Sequence, residues 1–369
     1  MIDRSSVGTS RNLHASVIIP THNRARRLAR CLSALASQTQ DLSAFEVVVA
    51  DDGSTDGTSE MLARIDTPFT LRPIKLMKRG PSAARNAGAL AAQGRVYIFL
   101  DDDVIANPEL VAEHISAHAA TVPLMGIGRL THVPARGWYP RELEACWRRH
   151  YDSLSGRAAT WADGWGGNLS VARADFAAVD GFSVSAPAAA ADVELAFRLQ
   201  LVGVTPVYLP RAHGLHDDGK GSARLLDNAR RRGAADVRLA RDAPAMTPLL
   251  LGCCRDTSDR EMLVRQILLR LRVPPTGLAL LGAVIRGADC RKLWFEFVSG
   301  YAFWLGARAA GCGCDLIRCA RRSRAQADDA VRRHARECRP CPRRTSSTSA
   351  PSWRPTRSVL VHASGRSPT

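Results

Sequence analysis

Three short apolar runs constrain this chain more than any other feature: residues 16–20 (SVIIP), 45–50 (FEVVVA) and 96–100 (VYIFL). None shows the every-other-residue alternation of a strand with one wet face. Strands that are apolar throughout must be covered on both faces, and segments of helical period lie between them. Leu28, Cys31, Leu32 and Leu35 share one helical face within residues 24–37, and Met61, Leu62 and Ile65 do the same after Asp56. Residues 71–77 read as a weaker strand and 82–92 as a helix of small residues. Asn107-Pro108 reads as the start of a helix reaching about residue 118, with asparagine as its cap. This alternation predicts an α/β fold, a mostly parallel sheet with helices on both faces.

In such sheets a ligand binds beyond the carboxyl ends of the strands. There the chain places Thr21-His22-Asn23-Arg24, Asp51-Asp52-Gly53-Ser54 and Asp101-Asp102-Asp103. Two carboxylate clusters at one sheet edge repel each other unless a cation lies between them. Hard oxygen ligands in an open site suit Mg2+ or Mn2+ shared with phosphate oxygens. Neither a G-x-x-x-x-G-K-[ST] loop nor a G-x-G-x-x-G turn follows the first strand, so neither a P-loop nor a dinucleotide fold is supported.

The net charge of +16 is unevenly placed. Thirteen arginines against three acids follow residue 317, for a net of +10, which leaves +6 on the rest. A solvated basic tail, residues 318–369, is expected to be disordered, and specific nucleic-acid binding is not expected. The abrupt change of composition there also fits a shifted reading frame. Cys312, Cys314, Cys319, Cys338 and Cys341 match no common zinc spacing. The polar first 14 residues lack the pattern of a secretory signal, and the apolar runs 273–285 and 293–307 are too short to span a bilayer. The expectation is a cytoplasmic chain with reduced cysteines, peripheral at the inner face of a membrane if its arginine-bearing helices at 225–239 and 260–272 lie on lipid.

Five segments in chain order resemble the inverting, family 2 glycosyltransferases of GT-A fold: VIIPTHNRARRLARCLSAL, VVVADDGSTDGT, GPSAARNAGALAAQGRVYIFLDDDV, GGNLSVARADFAAVDGF and AADVELAFRLQLVGVTPVYLP. They cover roughly residues 15–218. The resemblance implies that Pro20, Thr21 and Asn23 lie against a nucleotide, that Asp51 accepts a hydrogen bond from its base, and that Asp52 and Ser54 close that pocket. It implies Arg85 near the nucleotide or diphosphate. Asp103 would hold the divalent ion, Asp101 would sit nearer the ribose or the metal's water, and His216 would complete the shell, with His213 the weaker match. Asp102 should point elsewhere, because side chains alternate along an extended loop.

Transfer from a nucleoside-diphosphate sugar needs a stabilised leaving group and a carboxylate to deprotonate the acceptor hydroxyl. Asp192 is the candidate base and Glu194 the alternative, although Ala191 stands where the family usually has a second acid; Asp192 would also suit a helix cap. Trp165 and Asn168, within the aromatic-glycine stretch from Trp161 through Gly166-Gly167, are candidate sugar contacts. The implied organisation is a disordered N-terminus at 1–13, a catalytic domain at 14–220 (nucleotide-sugar half 14–120, acceptor half 121–220), a helical extension at 221–317 and the tail. The acceptor would be a saccharide, a lipid-linked molecule or a small molecule. Two rivals are a donor-binding protein without catalysis and a sugar nucleotidyltransferase, though the latter would want a glycine-rich phosphate loop after the first strand.

Overall fold

The computed structural model describes residues 13–120, 122–133, 136–246, 250 and 258–311. The tail at 318–369, the five cysteines from Cys312 to Cys341 and residues 1–12 lie outside the described residues. Eight strands form one sheet: β1 (Ala15–Thr21), β2 (Phe45–Asp51), β3 (Thr70–Lys75), β4 (Val96–Leu100), β5 (Val104–Ala106), β6 (Leu124–His132), β7 (Asn168–Ala172) and β8 (Thr205–His216), in the order β3-β2-β1-β4-β7-β6-β8-β5. The pairs β2–β3, β1–β2, β1–β4 and β6–β8 are parallel; β4–β7, β6–β7 and β5–β8 are antiparallel. The sheet is therefore parallel in its first half and mixed in its second.

The two-sided burial expected of the apolar runs is seen strand by strand. Val17 and Ile19 of β1 and Val47 and Val49 of β2 enter one core, with Leu28, Leu32 and Leu35 of α1 (Ala25–Leu35). Ile18, Val48, Tyr97 and Phe99 enter the other. Helix α2 (Thr58–Arg64) follows β2. Helix α3 (Pro81–Ala91) packs so closely on β1 that a Cβ at Gly88 would lie 2.6 Å from Ile18 Cγ2.

Strand order reverses beside β1, with β2 on one side and β4 on the other. The ends of β1 and β4 thus flank a crevice. Antiparallel pairing sets Leu100, the last residue of β4, opposite Asn168, the first of β7. It also sets Val104 opposite His216, the last residue of β8. Register alone therefore gathers residues near 101, 166 and 216 at one place.

On α4 (Leu110–Ala117), His114 is fully buried, hydrogen-bonded to Ser170 Oγ at 2.8 Å and Asn168 Oδ1 at 2.9 Å. Burial pushes its imidazole down to about 4, and does the same to neighbouring His118. Between the ordinary 6.5 and about 4, the unfolded chain takes up protons that the native state refuses. Stability should therefore fall as pH drops through that window. His114→Gln, which cannot titrate, should make that fall shallower; an unchanged slope of urea midpoint against pH would count against this account.

The second half adds α5 (Trp138–Leu154), α6 (Arg173–Ala178) and α7 (Ala191–Leu201). Then come α8 (Ser222–Asp242), α9 (Asp259–Arg270), α10 (Pro275–Leu281) and α11 (Ala288–Ala309). Helix α11 buries Phe295, Val298, Tyr301 and Trp304. It crosses α8 at two glycines: a Cβ at Gly306 would lie 1.7 Å from Arg230 O, and one at Gly233 would lie 2.0 Å from Phe303 O. Among the described residues no helix is long and apolar enough to cross a membrane.

Candidate active site

The ends of β1 and β2 form one hydrogen-bonded rim. Asn23, with φ 55°, accepts a bond from Thr55 N at 2.7 Å, while its own N–H donates to Ser54 Oγ at 2.9 Å. Asp51 accepts from Ser54 N at 2.9 Å and Ser59 Oγ at 3.1 Å. Asp52 accepts from Arg79 N and Gly80 N, at 2.7 and 2.9 Å, where the chain enters α3. Pro20 lies within β1, half-buried opposite Ala50. Pro20, Thr21, Asn23, Asp51, Asp52 and Ser54 thus share one strand-end region.

Thr21 Oγ1 donates to Asp102 Oδ2 at 2.7 Å, which ties Asp102 to the end of β1. Arg24, just past β1, bridges Asp102 Oδ1 at 2.8 Å and Asp103 Oδ2 at 2.5 Å. Burial raises Asp102 to about 6, with Arg24 and Thr21 opposing. Burial also works against ionised Asp103, but the His216 hydrogen bond and charge, with Arg24, outweigh it and hold that carboxyl well below the usual range. His216 Nε2 lies 2.8 Å from Asp103 Oδ1. Burial opposes its protonation, and Asp103 overcomes this and raises it.

Asp101, Asp103 and His216 each offer a ligand atom, all within 4.8 Å of one another. Two carboxylates and an imidazole fit Mn2+ or Mg2+, the imidazole favouring Mn2+. His216 Nδ1 is buried with no hydrogen-bond partner, so a polar group remains to be satisfied at the site. His213, the weaker match, bonds Thr131 and Asn107 instead.

Arg85, on α3, is 7% exposed and joins two sides of the cleft. Its Nη2 donates to Asp101 Oδ1 at 2.8 Å, and its Nη1 lies 3.7 Å from Asp192 Oδ1. Asp192 stands in the first turn of α7 without capping it; its Oδ2 accepts from Gly166 N at 3.0 Å. Oδ1 is buried and has no hydrogen bond. Burial raises the Asp192 pKa, with Arg85 opposing. Glu194, the alternative base, is paired with Arg198 at 2.6 Å. Ala191 is fully buried in the apolar core.

The Gly166-Gly167 pair makes room for both acids. A Cβ on Gly166 would lie 2.1 Å from Asp192 Cγ, and one on Gly167, whose φ is +114°, would lie 2.9 Å from Asp101 Oδ2. Gly166→Ala should therefore displace Asp192 and lower kcat by about 100-fold, the scale set by roughly 1 Å of misplacement. Circular dichroism should stay native while this happens; full activity in the alanine variant would remove the steric argument.

Two aromatic-stretch assignments part company. Trp165 stacks on His150 at 3.9 Å, meets Trp147 edge-on at 4.4 Å, and lines the cleft. Asn168 does not serve as a sugar contact. It is 1% exposed, and its amide bonds His114 and Ala212 O inside the fold. Strand alternation at the start of β7 turns it inward. Trp161 packs on Phe197 as a core residue.

From Asp192, Gly166 and His216 a cavity of about 1170 Å3 extends between α5, α8 and α11. Sequence reasoning missed it, because its walls come from helices distant in the chain.

The profile of Glycosyl transferase family 2 matches residues 16–163. Validoxylamine A glucosyltransferase of Streptomyces hygroscopicus subsp. jinggangensis (strain 5008) is 33% identical over 219 residues, 51% of this chain and 52% of that protein. The uncharacterized glycosyltransferase YfnE of Bacillus subtilis (strain 168) is 43% identical over 107 residues, 29% of this chain and 27% of that one. The chain thus spans about half the length, or less, of these curated relatives. Among solved structures, a mannosyltransferase from Pyrobaculum calidifontis, in complex with GDP-Man and Mn2+, aligns over 87% of this chain and 82% of its own, with a TM-score of 0.50 and 19% identity. That likeness is one of fold, and the fold is the GT-A arrangement.

Proposed function

We propose that this chain, whose residues 16–163 match the profile of Glycosyl transferase family 2, moves a hexosyl group from a nucleoside-diphosphate sugar to an acceptor hydroxyl, with inversion and with the help of Mn2+ or Mg2+. One observation carries this reading: a buried carboxylate oxygen that accepts no hydrogen bond, Asp192 Oδ1, stands across Arg85 from the Asp101–Asp103–His216 group. When bound, the ion supplies Lewis-acid stabilisation of the departing diphosphate.

The remaining steps belong to the chain's own residues. Asp101, Asp103 and His216 would hold the ion. Pro20, Thr21, Asn23, Asp51, Asp52 and Ser54 would receive the nucleotide. Arg85 balances charge on both sides of the cleft. Asp192 Oδ1 would take the acceptor's proton as its oxygen attacks the anomeric carbon, and its raised pKa suits a general base. A single base without a covalent nucleophile gives inversion, by analogy with inverting hydrolases. Trp165 at the cleft wall would stack on a sugar ring.

Likeness to a glucosyltransferase supports a hexose donor. Acceptors from cell-envelope polysaccharide, glycolipid or natural-product glycosylation fit the same chemistry. On α9, α10 and the loop after α9, exposed Leu263, Ile267, Leu271 and Leu280 beside Arg260 and Arg270 support seating on an anionic membrane surface, at the cytoplasmic face.

The test is a panel of UDP- and GDP-hexoses screened by thermal shift with and without Mn2+, followed by NMR of the product. One donor should stabilise the protein only with the metal, and its product should have the opposite anomeric configuration. A retained configuration would overturn the inverting reading.

A further inference from the structure

We propose that the acceptor carries an apolar body, an alkyl or aryl aglycone, which lies in the cavity between α5, α8 and α11 and presents its hydroxyl to Asp192. This rests on the transferase reading above and names the acceptor class for that site.

The cavity has a built character. Tyr139, Leu143 and Trp147 recur at intervals of four along α5, and Phe295 and Phe303 stand eight apart on α11. Each helix therefore turns one face to the same space, with Ala229 of α8 facing it too. Faces of this kind normally close on one another, since protein interiors leave few voids larger than a water molecule. Here about 1170 Å3 stays open. That is above the usual range of roughly 300–1,000 Å3 for small-molecule pockets, so the space exceeds the needs of a small ligand.

The chemistry of the walls selects the occupant. A glycan chain would need free donors and acceptors along its length. Yet the Tyr139 hydroxyl is already 2.8 Å from Ser299 Oγ, and Arg232 Nε already donates to Asp236 Oδ1 at 2.6 Å. Glu144, Asn228, Arg238 and Glu296 also reach the wall, but most of its surface is apolar: Tyr139 and Phe295 lie 4.9 Å apart, and Trp147 and Trp165 continue the wall toward Asp192. An apolar body gains from leaving water for such a surface, whereas a polar chain would lose more hydrogen bonds to water than the few polar groups of the wall replace.

The experiment uses methyl, phenyl and octyl β-D-glucopyranoside as probes, with octyl kept below its micellar concentration. Tryptophan fluorescence reports binding, because Trp147 and Trp165 line the site. Octyl or phenyl glucoside should bind at least ~100-fold more tightly than methyl glucoside. A preference for octyl over phenyl identifies a lipid-like aglycone, and the reverse an aromatic one.

Ala229→Trp should remove the preference by filling the space, and Ala189→Trp, on the exposed rim, should weaken it without disturbing the core. Equal binding of all three probes, no binding by any, or a preference that survives both variants would overturn the proposal. Probe binding needs neither donor nor metal. Failure of the donor screen would therefore count against the transferase reading, while failure of the probe series alone would count against the apolar acceptor.

Discussion

Asp192→Asn is expected to lower kcat by ~10²–10⁴-fold, the usual contribution of a positioned general base, while donor affinity stays unchanged. The amide matches the carboxylate in shape, so Gly166 can still be accommodated, and an amide oxygen can still accept from its N–H. What disappears is the buried oxygen that accepts no hydrogen bond and is able to take a proton. The measurement is single-turnover transfer with donor and metal saturating, beside calorimetric donor binding. Loss of donor binding together with turnover would make Asp192 a structural residue; near-full activity would move the base elsewhere. Glu194→Gln supplies the contrast, since its ion pair with Arg198 engages both carboxylate oxygens, and kcat should survive that change.

Asp103→Asn should have the other large effect, on metal-dependent donor binding. Asp103 contributes one of three ligand atoms to a compact group and is held ionised by His216 and Arg24. Removing its charge leaves Asp101 and His216 as a weak pair and frees Arg24 to bond Asp102 alone. A loss of several kcal/mol in transition-state stabilisation corresponds to about 10³-fold in kcat/KM. The Mn2+-dependent thermal shift with a sugar nucleotide should vanish as well. A variant that still shows that shift and still turns over would remove the metal-site assignment.

The first half of the sheet was legible because burial on both faces leaves a continuous apolar run, a local signal. The acids at its strand ends were legible for a related reason: charges clustered at one sheet edge need an explanation. Other parts of the site depend on distant pairing. Nothing local announces that β7 runs antiparallel beside β4, yet that register brings Gly166 and Gly167 to Asp101 and Asp192. Asn168 was misassigned because it follows those glycines, while the pleat of β7 turns it the opposite way. Arg24 was quoted in a strand-end motif, but its bridge to Asp102 and Asp103 requires the β1 and β4 ends to meet. The cavity needed three helices placed together in space.

Helices α8 and α11 cross at Gly233 and Gly306, backbone against backbone. Contacts between side chains can relax by changing rotamer, but two main chains separated by no side chain have little such freedom. The walls that these helices give to the cavity are therefore set by the crossing rather than by whatever fills the space. A guest entering a preorganised chamber orders fewer protein groups and forfeits less of its binding free energy to entropy. Selection among acceptors then depends on how well each guest matches a fixed shape.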